Sequence, residues 1–275
     1  MAVLLLHDHG QRRAFLSRRC CANFKLERGC APHWDLSTIL AIPPVIAVTG
    51  LSFEARIASG QGVSTLCSGD RRQLLASLNE AVGRGCSGIV SFGMAGGLDP
   101  EAKPGCWVVA TGVVTNVKRY PTDVLWSQVL RQKLSHAIQG DIAGVDAPVA
   151  APSAKRMLRE RTGAAAVDME SHVAASVAAA CNVPFAVCRV IVDPAHRALP
   201  PAALLGQRRD GTLNIIGVLA SVLHSPGQLP ALMRTAMDAR KARTALMRGR
   251  RLFGSNFSFP DPNPGRRPVS AGFVQ

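Results

Sequence analysis

Two acids stand out by their settings. Asp193 closes the run V-P-F-A-V-C-R-V-I-V-D over residues 183–193, and Glu170 sits in V-D-M-E-S at 167–171, ahead of an alanine-rich stretch. An apolar segment ending in one acid reads as a buried strand that carries it to the edge of a pocket. Two acids delivered to one pocket by different elements suit chemistry that needs a proton donor and a hydroxyl binder. Desolvation at the strand end would raise the pKa of Asp193 and keep it protonated near neutral pH. Glu170 would take the opposite state, a carboxylate accepting hydrogen bonds, so that the pair divides its labour. Plainer uses compete with these: a helix cap or an ion pair with Arg189 for Asp193, and a first-turn acid favoured by the helix dipole for Glu170.

A third feature is G-M-A-G-G-L at 93–98, directly after S-G-I-V-S-F at 87–92. A glycine-rich turn behind a strand lets backbone N–H groups approach an anion or a sugar. It lacks the G-x-G-x-x-G spacing of a dinucleotide site. Arg56, just past a glycine turn expected at Gly50, is the best-placed cation for an anionic co-substrate. Arg71, Arg72, Lys118 and Arg119 are weaker candidates.

The elements that must position these residues alternate. Strands are expected at 45–50, 62–67, 87–92, 107–117, 141–149 and 184–192, with a short one leading into Asp168. Helices are expected at 70–83, 124–136, 152–162, 170–181, 213–223 and 229–252. Such alternation indicates an α/β fold whose sheet is covered on both faces, a three-layer α/β/α arrangement. Residues 1–43 form a poorly patterned basic leader, residues 44–253 the domain, and the proline-rich stretch 254–275 a tail expected to be disordered.

Composition narrows the function classes. The chain has 275 residues, 47% of them hydrophobic, which supports a large core, and only 5% aromatic, which argues against stacking platforms for single-stranded nucleic acid. Its eight cysteines show no C-x-x-C or metal-ligand spacing, so they read as small buried apolar residues in a reducing cytoplasm, and no metal is expected. His7 and His9 have pair spacing but lie in the leader. No run approaches the roughly 18 apolar residues of a membrane span, and V-L-L-L at 3–6 is too short for a secretory core.

Four features in order, the strand ending in Gly50, G-M-A-G-G-L, D-M-E and the strand ending in Asp193, resemble the nucleoside phosphorylase and nucleosidase family over about 45–223. The resemblance implies a central mixed sheet and cleavage of an N-glycosidic bond with no cofactor, with phosphate or water as acceptor. It implies that Asp193 holds or donates a proton at the purine N7, that Glu170 grips the ribose hydroxyls and that Met169 packs on the sugar. Val149 would fall near the segment that reads the base. Ala95 and Gly96 would line the substrate, and Gly50, Arg56 and Gly93 would serve the phosphate or water. Met94 and Val192 stand where relatives commonly carry serine, so neither acceptor is secured.

The runs S-F-G-M-A-G-G-L-D-P, G-V-D-A-P-V-A, A-A-A-V-D-M-E-S-H-V-A-A and L-P-P-A-A-L resemble the hopanoid-associated phosphorylases. That implies adenine release from the lipid-attached nucleoside adenosylhopane; soluble methylthioadenosine, adenosylhomocysteine or purine nucleoside cleavage is the alternative. Family resemblance also implies a homo-oligomer.

The chain carries a net charge of +14, concentrated at its two ends. The last helix sets Leu232, Met233, Ala236, Ala239, Leu246 and Met247 against Arg234, Arg240, Lys241, Arg243, Arg248, Arg250 and Arg251. A basic amphipathic helix can rest on an anionic membrane, here the inner face, or simply carry a core stripe and solvated charges. No recognition motif supports nucleic acid as a partner. A non-catalytic binding protein on the same fold is the rival from another class.

Overall fold

The computed structural model describes residues 42–204, 221 and 224–260. The leader to residue 41, the helix expected at 213–223 save Ser221, and the tail beyond Pro260 lie outside them.

Eight strands form one mixed sheet: β1 (Val45–Thr49), β2 (Val63–Cys67), β3 (Gly88–Gly97), β4 (Trp107–Val114), β5 (Arg119–Pro121), β6 (Ile138–Gly144), β7 (Ala166–Asp168) and β8 (Phe185–Asp193). β1 lies parallel between β2 and β3, and β3 runs parallel to β8. From β8 the pairing continues through β4, β6 and β7 and returns to the end of β3, so five strands close on themselves. Closure removes edges that would otherwise expose unpaired backbone groups. The mixed α/β sheet follows expectation.

Helices cover both faces. On one side α2 (Arg71–Gly83) packs on α5 (Ser171–Cys181), burying Leu74 and Leu78 with Val173, Ala174, Val177 and Ala178. Asp70 starts α2 by accepting the backbone N–H groups of Arg72 and Gln73 at 2.9 and 3.0 Å. The other face carries α1 (Ser52–Ala58), α3 (Val124–Lys133) and α7 (Leu229–Phe253), with Ala58, Trp126, Leu130, Ala242, Leu246 and Phe253 in its core. Two further helices stand near the carboxyl ends of strands: α4 (Pro152–Thr162), stopped by Gly163 at φ 69°, and the short α6 (Pro201–Leu204).

Several expectations change. The G-M-A-G-G-L segment is not a turn: β3 continues through it to Gly97. β4 stops at Val114 and β6 at Gly144, both short of their expected ends, and α1 was not foreseen. α7 turns Asp238, Ala242, Leu246, Gly249 and Phe253 inward, so Met233 and Met247 of the expected core stripe face out. Residues 254–260 of the tail are packed: Phe257 is buried against Phe92, and Phe259 meets Trp126 edge-on at 4.9 Å.

Candidate active site

Carboxyl ends of neighbouring strands are where α/β sheets place ligand sites. Here β1 ends at Thr49, just before Gly50, β3 at Gly97, β7 at Asp168 and β8 at Asp193, with Glu170 immediately before α5. Pairing of β3 with β8 skips one residue, since Ala95 faces Ile191 and Gly96 faces Asp193. Such a bulge re-aims a side chain. It brings Asp193 beside Gly96, where a methyl group would lie 3.3 Å from Asp193 Oδ1.

A cavity of about 200 Å³ opens at this edge. Gly50, Ala95, Gly96, Val149, Met169, Glu170 and Asp193 all line it, together with Leu51, Glu54, Met94, Val145, Pro148, Val167, Asp168, Val192, Leu199 and Ala203. Two expected site residues are elsewhere. Arg56 is exposed on α1 and does not reach the lining, because the helix turns that position to solvent. Gly93 lies behind the wall at φ 147°, and its missing side chain leaves room for buried charges: a Cβ would sit 2.7 Å from both Arg189 Nη1 and Glu54 Oε2. Gly50 has a similar spatial role, since a Cβ there would lie 2.8 Å from Glu170 Cδ.

Three acids converge on one guanidinium behind the cavity. Arg189, fully buried, pairs with Asp168 at 2.7 Å and with Glu170 at 3.2 Å, and donates to Ser91 Oγ at 2.7 Å. Glu54 completes the cluster. Its Oε1 accepts the Met94 N–H at 2.8 Å, and its Oε2 accepts those of Gly50 and Leu51 at 3.1 and 3.0 Å. Burial raises the pKa of Glu54 against the opposing pull of Arg189 and these three donors. Burial also pushes Glu170 up to about 7; Arg189 opposes this, while Asp168 and Glu54 add to it. Glu170 is thus fully ionised only above neutrality, rather than a simple carboxylate throughout.

Asp193 is nearly buried, and desolvation raises its pKa as expected, partly offset by a neighbouring cation. That cation is Lys155 on α4, not the Arg189 considered from the sequence. Lys155 is wholly buried and donates to Asp193 Oδ2, to Pro194 O at 2.9 Å and to Arg197 O at 3.1 Å.

Four participants escaped sequence reasoning: Glu54, Asp168, Arg189 as a site residue, and Lys155. Some signals were present. Glu54 follows the strand-ending Gly50 by four residues, Asp168 ends a strand two residues before Glu170, and Lys155 shares a helix face with Leu158. Among the described residues no cluster of three or more His, Cys, Asp or Glu side chains could hold a metal ion, and no helix is long and apolar enough to cross a membrane.

Comparison with known proteins agrees with this architecture. No curated protein matches the chain. Among solved structures, the 5′-methylthioadenosine/S-adenosyl homocysteine nucleosidase of Helicobacter pylori is similar with a TM-score of 0.56 and 15% identity, covering 79% of this chain and 98% of that one. S-adenosylhomocysteine nucleosidase from Streptococcus pyogenes is similar with a TM-score of 0.52 and 16% identity, over 76% and 98% of the two chains. At these identities the likeness establishes the fold. The family model described as the Phosphorylase superfamily matches residues 43–207, more than half of the chain, with every cavity-lining residue inside it. This chain belongs to the phosphorylase superfamily.

Proposed function

We propose that the chain hydrolyses the N-glycosidic bond of an adenine nucleoside. One observation carries the choice of water over phosphate. Among the described residues the cavity is lined by four carboxyl groups, Glu54, Asp168, Glu170 and Asp193, and by no lysine or arginine. Arg189 behind it is already engaged by Asp168 and Glu170. A phosphate dianion entering this lining would meet like charge with no free cation to offset it.

The reaction divides among the acids. Asp193 gives its proton to N7 as the C1′–N9 bond breaks, so the base leaves neutral; acid catalysis of this kind is worth roughly 10²–10⁴-fold. Glu170 accepts hydrogen bonds from the ribose hydroxyls. Glu54, made more basic by burial, orients the attacking water and takes its proton as the new C1′–O bond forms. Three backbone donors hold that carboxyl in one place.

The finer reading is adenine release from a lipid-attached nucleoside, adenosylhopane. The four hopanoid-type runs support it, as does the apolar side of the cavity formed by Val145, Pro148, Val149, Leu199 and Ala203. The soluble alternatives are methylthioadenosine and adenosylhomocysteine. Contact with the inner face of a membrane through α7, and a homo-oligomeric state, belong to the same reading.

The test incubates adenosylhopane, 5′-methylthioadenosine and S-adenosylhomocysteine separately with the protein, with and without inorganic phosphate, and measures adenine and the sugar product. Phosphate-independent adenine release is expected, fastest for the lipid nucleoside, with a product sugar that carries a hydroxyl at C1′ and keeps its 5′ substituent. Dependence on phosphate with a sugar 1-phosphate as product would replace hydrolysis by phosphorolysis. No base release from any of the three would leave the non-catalytic reading.

A further inference from the structure

A wholly buried lysine next to a buried acid needs an explanation, because desolvating a charge is expensive unless its partners are well placed. Lys155 has them: the three N–H groups of an ammonium meet three acceptors, Asp193 Oδ2 and the carbonyls of Pro194 and Arg197. The two carbonyls belong to the loop that leaves β8 just after Asp193. One side chain therefore fixes both the acid and the backbone behind it.

The contact is also one-sided. Lys155 holds Oδ2 and not Oδ1, although both oxygens lie near Gly96 in the cavity wall, 3.3 Å (Oδ1) and 3.5 Å (Oδ2) from a methyl group placed there. Among the described residues the charges acting on Asp193 come from Lys155 on α4 and Arg197 on the following loop. Arg197 is itself engaged by Asp238 of α7, so Lys155 is the cation in direct contact.

We infer that Lys155 is a positioning residue for base departure: by holding Oδ2 it leaves Oδ1 to serve the base, and it neutralises the charge left on that carboxyl when its proton passes to the base. The inference rests on the reading of Asp193 as the acid. In the step, the Asp193 Oδ1–H bond breaks, the N7–H bond forms and the C1′–N9 electrons return to the purine. The aspartate then faces an ammonium already in place. An attraction that grows as the proton leaves lowers the barrier rather than merely tightening binding.

The sign of the pH effect follows. Asp193 works protonated, and the Lys155 charge favours its ionised form, so removing that charge keeps the acid protonated to higher pH. The experiment measures kcat, KM and the pH profile of K155M and K155Q on the adenine nucleoside that the wild type turns over best. Expected is a fall in kcat of about 10²-fold, the usual loss on removing one preorganised group that stabilises developing charge. KM should change little, and the alkaline limb of kcat/KM should move to higher pH. K155Q keeps a neutral donor on a side chain one carbon shorter, and guards against misfolding of K155M; thermal melts of both accompany the kinetics. A second arm uses p-nitrophenyl riboside, whose nitrophenolate departs without protonation and should be cleaved by the variants as by the wild type. Unchanged kcat, or a fall in kcat on both substrates with the alkaline limb unmoved, overturns the inference. D193N separates the layers: wild-type turnover by D193N overturns the acid assignment itself, while an inactive D193N beside a normal K155M overturns only the role of Lys155.

Discussion

The division of labour among Glu54, Glu170 and Asp193 depends on environment more than residue type, since all three are carboxyl groups with raised pKa values. For Glu170 the shift from 4.5 to about 7 has two consequences. In the free protein, kcat/KM should rise as pH increases through about 7, because only the ionised group accepts both ribose hydroxyls. E170Q should be slower and should lose that rising limb; a limb retained in E170Q would place it elsewhere. Stability moves the other way. The folded state keeps a proton between pH 4.5 and about 7 that the unfolded chain has released, so this group's contribution falls as pH rises across that window. Thermal melts at pH 5 and pH 8 should accordingly diverge less in E170Q than in the wild type. Gly50 offers a steric test: G50A pushes a methyl group onto the Glu170 carboxyl and is expected to weaken sugar binding while the fold survives. Asp193 and Glu170 were legible in the sequence because one ends an apolar run and the other precedes an alanine-rich one. Lys155 was not, since α4 also carries Arg156, Arg159, Glu160 and Arg161 and reads as a solvated surface. A fully buried lysine is rare enough to escape a pattern reading.

At the level of elements, the strand-helix alternation predicted the sheet but not its closure, because a parallel and an antiparallel neighbour leave the same apolar run. The seven-residue α1 was missed for a related reason: it is too short to display a period, yet it supplies Glu54. The glycine run illustrates an opposite error. Its glycines suggested a ligand-hugging turn, whereas β3 stays extended there and Gly93 makes space for Glu54 and Arg189. On the far face, Phe92, Trp107, Phe253 and Phe257 form a cluster with ring centroids 5.2–6.5 Å apart. F257A should cost about 3–5 kcal/mol of stability, the usual range for truncating a buried phenylalanine. Denaturant unfolding would measure it, and a loss below about 1 kcal/mol would mean that 254–260 contribute little to the fold.

Considered whole, the molecule is strongly cationic, and α7 presents much of that charge. Arg234, Arg240, Lys241, Arg243, Arg248 and Arg251 are exposed beside Met233, Met237 and Leu252, which are 60, 57 and 53% exposed, while Asp238, the helix's acid, turns inward. Cations near an anionic bilayer contribute on the order of 1 kcal/mol each. Sedimentation with phosphatidylglycerol vesicles should therefore retain the protein at low salt and release it as ionic strength rises. Reversing Arg240, Arg243 and Arg248 to glutamate should abolish retention without slowing turnover of a soluble nucleoside. Retention unchanged by those reversals would assign the charge to plain solvation.

The pairing of Arg197 with Asp238 reaches further than its size suggests. The family match stops at 207, yet the carboxylate that steadies the loop behind Asp193 lies about thirty residues beyond it, on a helix whose last turn also seals the aromatic cluster. A fragment trimmed to the matched stretch would keep every cavity-lining side chain and still lack the strut beneath its acid. The smallest transplantable unit therefore extends through Pro260, and shorter excisions are expected to yield an empty shell.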